Sequence, residues 1–171
     1  MATYTLISSN VLSSSAASVT FSSIPATYTD LVLRASIRSD RAVVTDGLSI
    51  AFDSTTAIYS YRSLVGNGSA ASSAFDSSQA SANGNTLDGA SATSNTFASL
   101  EMYIPSYTVS QNKPFSIFSC TENNATAAEI DAMAYLYRST SAISTIVIKS
   151  VTTAVNLVAG SSFYLYGISN A

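Results

Sequence analysis

The sequence predicts an all-β fold: an antiparallel β-sandwich, jelly-roll-like, with about 8 to 10 strands. Three observations predict it. Apolar and polar residues alternate at period two through most of the chain. Turn signals such as Ile24-Pro25, Asp46-Gly47, Ile104-Pro105, Asn123-Asn124 and Ala159-Gly160 interrupt those runs. No stretch shows a helical period with end caps that competes well with the strand reading.

The elements follow in order. Residues 3–8 open the chain as a strand. In 17–22, Val19 and Phe21 share one face against Ser18, Thr20 and Ser22. In 30–38, Leu31, Leu33, Ala35 and Ile37 oppose Val32, Arg34, Ser36 and Arg38, a half-buried strand with one wet face. Leu48, Ile50 and Phe52 alternate with Ser49 and Ala51, and 58–64 is a further strand candidate. Residues 96–104, 114–120 and 130–137 repeat the alternation. The segment 144–148 is rich in β-branched residues, and 162–168 closes the set. Ala127-Ala128-Glu129 favours a helical turn, but strand from Ile130 onward fits the alternation better.

Two segments stand apart. Residues 65–94 hold Gly, Ser, Ala, Asp and Asn with Phe75 and Leu87 as the large apolar residues in the middle, and are expected to form a long loop held by a neighbouring subunit. Residues 1–15 end in a Ser-rich stretch and are expected to form an N-terminal arm that orders on a partner. The whole of 1–171 is expected to be a single sandwich domain.

Composition excludes most catalytic chemistry. The chain has no His, no Trp and one Cys in 171 residues, and its charged fraction is 10%, against about 25% in average proteins. The net charge of −3 argues against nucleic-acid binding, which needs a clustered positive footprint. Arg34, Arg38 and Arg41 sit among Asp30, Asp40 and Asp46, and equal numbers suggest ion pairs. Cys120 has no partner for an intrachain disulfide and reads as a small buried residue. No run of about 18 apolar residues is present to span a membrane. The N-terminal residues lack the basic and apolar regions of a signal peptide, so Asn67-Gly68-Ser69 and Asn124-Ala125-Thr126 read as chance acceptor patterns.

The remaining candidates are weak. Asp46 with Asp53, and Glu122 with Glu129 and Asp131, are the carboxylate groupings a glycosidase would need. Asp46 precedes Gly47 and Asp53 precedes Ser54-Thr55-Thr56, which are turn roles. Glu129 and Asp131 share one side of a strand and repel unless solvated or bound to a cation. Asp76, Asn83, Asn85 and Asp88 could offer oxygens to calcium, but as turn-forming residues they need no metal. Tyr59 and Tyr61, Tyr103 and Tyr107, Tyr135 and Tyr137, and Tyr164 and Tyr166 recur at short spacings that suit a core, a subunit interface or sugar stacking. No catalytic, cofactor-binding or metal-binding residue is assigned.

One resemblance extends this reading. Val19-Thr20-Phe21-Ser22-Ser23-Ile24-Pro25-Ala26-Thr27-Tyr28-Thr29-Asp30-Leu31, followed by Ser36-Ile37-Arg38-Ser39-Asp40-Arg41, resembles a family of small tailed-phage virion proteins, seen in marine and freshwater phages including cyanophages. Asn95-Thr96-Phe97, Tyr103-Ile104-Pro105-Ser106-Tyr107, Glu122-Asn123-Asn124-Ala125 and Gly160-Ser161-Ser162-Phe163-Tyr164-Leu165-Tyr166-Gly167-Ile168 continue it. Ser106 stands where that pattern often has Asn. The resemblance implies a non-enzymatic structural protein of the virion, assembled in the host cytoplasm. It implies a capsid decoration (cement) protein, often homotrimeric, that binds the major capsid protein or another virion protein. The alternative it allows is a tail or head fibre module binding host-surface glycans.

Overall fold

The computed structural model describes residues 3–53 and 58–169. Within them the chain forms β1 (Thr3–Val11), β2 (Val19–Phe21), β3 (Asp30–Ile37), β4 (Thr45–Phe52), β5 (Tyr59–Gly66) and β6 (Ala71–Gln79), then β7 (Ala82–Asp88), β8 (Ala98–Ile104), β9 (Lys113–Thr121), β10 (Glu129–Tyr137), β11 (Ile146–Ser150) and β12 (Ser162–Ser169). Eight of them form one antiparallel sheet in the order β1-β12-β3-β8-β9-β10-β5-β6, and four form a second in the order β2-β11-β4-β7. No helix occurs among the described residues.

The connectivity is that of a jelly roll with additions. Without β1, β12 and the β8–β9 hairpin, the remaining strands fall into two sets of four, β2-β11-β4-β7 and β3-β10-β5-β6. Successive strands cross between the sheets as they do in two nested Greek keys. The hairpin widens the larger sheet between β3 and β10, and β12 with β1 extends it past β3.

Alternation decides what each strand buries. β8, β9 and β10 each alternate buried and exposed almost without exception. Leu31, Leu33 and Ile37 of β3 meet Leu48, Ile50, Ile146 and Ile148 of the small sheet in one hydrophobic core. An aromatic group anchors one end. Phe52 packs edge-on to Tyr137 at 5.3 Å and tilted against Phe115 at 5.0 Å, while Phe115 stacks on Tyr135 at 5.0 Å. Two polar contacts tie the layers together there. The Phe52 amide donates to the Tyr59 hydroxyl at 2.7 Å, and the Tyr135 hydroxyl donates to the Asn83 carbonyl at 2.8 Å. Burial raises the pKa of both tyrosines above the ordinary value, so these hydroxyls stay protonated.

Three expectations are corrected. Residues 65–94 are not a long loop: most of them are β6 and β7, which brings the strand count to twelve among the described residues. Backbone pairing needs no large side chains. β6 is an edge strand exposed on both faces, and β7 pairs with β4 while lying over β9 and β10, with Leu87 in the core and Asn85 and Thr86 buried beside it. The segment is paired into the chain's own two sheets.

Within the expected arm, residues 3–15 are likewise not free. Thr3–Val11 pairs along β12 from Thr3 opposite Ser169 to Val11 opposite Ser162. Leu12 is then buried, with its amide on the Ser161 carbonyl at 2.9 Å. Without β1, the hydrogen-bonding edge of β12 would stand open. The first two residues of that arm and the turn expected at 54–56 lie outside the described residues.

Cys120 is half-buried rather than buried. It shares a face with Phe118, opposite the core, because Ser119 takes the inward position.

Candidate functional site

The candidate carboxylates are dispersed into structural roles. Asp46 is buried at the end of the core, where it accepts from the Ser39 and Ser150 hydroxyls at 2.8 and 2.9 Å and pairs with Arg41 at 2.9 Å. Asp53 accepts from the Ser144 amide and hydroxyl, bracing the approach to β11. Glu122 caps the amide of Asn124 at 3.0 Å. Glu129 and Asp131 point inward together, as expected, but find separate neutral donors. Glu129 takes the Thr86 hydroxyl at 3.0 Å, and Asp131 takes the Thr86 amide at 2.8 Å and the Ser119 hydroxyl at 3.1 Å.

The oxygens considered for calcium are not brought together. Asp76 lies on β6 and caps Ser78, a contact that lowers its pKa. Asn83, Asn85 and Asp88 lie on β7 in the other sheet. Asp88 receives the Asn123 amide at 2.6 Å. Among the described residues the Asn85 side chain and Asp131 Oδ1 are buried with no hydrogen-bond partner. Among the described residues no group of three or more His, Cys, Asp or Glu is placed to hold a metal ion.

The arginine cluster resolves into three different roles. Among the described residues, Arg41 alone of the three pairs with one of the expected aspartates. Arg34 reaches across to Glu101 at 2.9 Å, because β8 and not the following turn lies beside it. Arg38 is buried, and its guanidinium donates to the carbonyls of Ala90, Ala92, Thr93 and Thr96. It thereby fastens the segment between β7 and β8.

What remains is a surface. Among the described residues the outer face of the eight-stranded sheet is left open over β9, β10, β5 and β6, whereas on β3 Asp30 and Val32 are buried on that face. The sheet register sets its rows: Phe118, Ala132 and Leu64 lie side by side across β9, β10 and β5, with Cys120, Ile130 and Gly66 beside them. Phe118, Ile130, Leu64 and Phe75 are 49%, 48%, 57% and 70% exposed, which is unusual for four large apolar side chains on adjoining strands. Arg62 lies over the Phe75 ring at 4.7 Å. At the other end, Arg34, Glu101 and Tyr164 wall a shallow cleft of about 410 Å3 floored by Ser36, Ser99 and Ser162.

The edges of this sheet are also open. β1 and β6 are the outermost strands, each nine residues long, and each is exposed on both faces. β1 contains no charged residue, and β6 contains Asp76 alone. Long edges without charge are templates for pairing with another chain.

The tyrosine pairs divide between core and surface. Tyr59, Tyr107, Tyr135 and Tyr137 are buried. Tyr103 lies on the outer face, its hydroxyl donating to Asp30 at 2.9 Å; burial first and then that carboxylate raise its pKa. Tyr164 and Tyr166 are half-buried on the same face. Sequence reasoning missed the exposed apolar group. One signal was legible: in 115–120, Phe occurs at both parities, so one of the two rings must face away from the core.

Compared with protein-family models, with curated proteins and with solved structures, the chain matches none.

Proposed function

We propose that this chain is a non-enzymatic structural protein of a phage virion, a capsid decoration protein that binds and stabilises the assembled shell of major capsid protein. The observation that carries the reading is the pair of long, nearly uncharged open edges, β1 and β6, at either side of one wide sheet. Such edges bind by main-chain hydrogen bonds to a strand or extended arm of a neighbour. A protein that binds only the assembled shell stabilises it by mass action, without chemistry. The resemblance to tailed-phage virion proteins supports the same reading.

The test is quantitative mass spectrometry of purified virions. A copy number comparable with that of the major capsid protein is the expected result. Complete absence from the particle would overturn the proposal.

A second reading, a fibre module binding host-surface glycans, is favoured by the cleft at Arg34, Glu101 and Tyr164. It combines an aromatic ring, an ion pair and serine hydroxyls, which is sugar-binding chemistry. A handful of copies per particle, with glycan binding lost in Tyr164→Ala, would favour it over decoration.

A further inference from the structure

We infer that the outer face of the eight-stranded sheet packs against the same face of a second copy of this chain, forming a two-fold pair. The inference does not depend on the virion reading.

The face has the relief of a packing surface. In one row, Phe118 and Leu64 stand on either side of Ala132; in the next, Ile130 stands between Cys120 and Gly66. Within these two rows large and small side chains alternate both along and across the strands. A trough runs over Ala132 and Ala134 between Phe118 and Leu64, with a volume of about 520 Å3. Two sheets pack face to face when such knobs enter such hollows at about 10 Å separation.

Charge selects the partner. Within the eight strands, the charged side chains on this face are Asp30, Arg34, Arg62 and Glu101. Two acids and two bases sum to zero. Arg34 and Glu101 neutralise each other at 2.9 Å, and Asp30 is occupied by the Tyr103 hydroxyl and the Ser106 amide. The chain as a whole carries −3, so its excess negative charge lies elsewhere. Two copies of an acidic chain repel least through their neutral face. A strongly acidic or basic partner would find no complementary field there.

Size agrees. Eight strands at about 4.8 Å spacing, with about seven residues of about 3.4 Å each, cover roughly 900 Å2. One partner in a standard stable interface contributes about 800 Å2. A face-to-face contact of identical surfaces is isologous and closes at two copies. It leaves β1 and β6 of both copies open at the rim.

Sedimentation equilibrium of the purified chain tests this. The expected state is a dimer. Ala132→Glu and Phe118→Ser, each at an exposed position, should each raise its dissociation constant by at least about tenfold. Circular dichroism should show both variants folded.

Cys120 supplies a readout that needs no variant. It lies on this face, so its alkylation should slow as the protein concentration rises through dimer formation. A monomer at every concentration would overturn the inference. So would a trimer, the state the phage resemblance implies. A dimer that tolerates both substitutions, or that leaves Cys120 equally reactive, would place the contact on another surface and would equally overturn it.

Discussion

Phe115 and Phe118 occupy one strand three residues apart and face opposite ways. Phe115 is 4% exposed, stacked on Tyr135 and packed against Phe52. Phe118 is 49% exposed and flanks Ala132 on the open side of the same sheet. The inner face around Phe115 is covered by the small sheet and holds the chain together. The outer face around Phe118 also carries large apolar side chains but is covered by nothing among the described residues. A sheet needs only one apolar face to fold. Apolar groups on the second face add little to the isolated fold and instead mark where another molecule fits.

The largest expected effect breaks the covered side. Phe115→Ala should destabilise the chain by about 3–5 kcal/mol, measured by urea denaturation, because it removes a ring from an aromatic group with no room to relax. A loss below about 1 kcal/mol would mean that the inner face is not tightly packed.

Gly167→Ala probes the part of the inner face that the small sheet does not reach. There the ring of Tyr28 lies over β12, and a Cβ at position 167 would run into the Tyr28 ring. The ring or the strand must shift, at a cost of about 1–3 kcal/mol. Tyr28→Ala in the same chain should relieve most of that cost, and failure to do so would mean that another contact is responsible.

The inner face should also show itself in alkali. Tyr59 and Tyr135 have pKa values raised above 10.0, chiefly by burial, so the folded state holds protons that the unfolded state releases. Their contribution is fully present below pH 10.0 and is lost as pH rises through their folded values. Thermal melting temperatures should therefore fall steeply above pH 10.0, and Tyr135→Phe should make the fall shallower. An unchanged slope in that variant would show that Tyr135 is not among the groups responsible.

The smallest effect completes the comparison. Phe118→Ala should change the stability of the monomer by no more than about 0.5 kcal/mol. The same substitution should weaken pairing between copies. A large loss of monomer stability would mean that the outer ring serves the fold and not a contact.

Period two alone grouped Leu31, Leu33 and Ile37 on one face of their strand and Leu48, Ile50 and Phe52 on one face of theirs, and it pointed to the fold class, because a strand turns alternate residues to opposite faces whatever lies around it. It also put Glu129 and Asp131 on one side. It did not reveal β6 and β7, whose small residues pair by backbone and leave little apolar signal. Nor did it show that Thr3–Val11 pairs along β12 or that Arg38 reaches the carbonyls between β7 and β8, since both depend on which segments the crossings bring together. Which of two apolar faces is covered, and that Gly167 makes room for Tyr28, were decided by tertiary structure alone. The physical reason is that alternation is a property of one strand, whereas burial is a property of the layer placed against it.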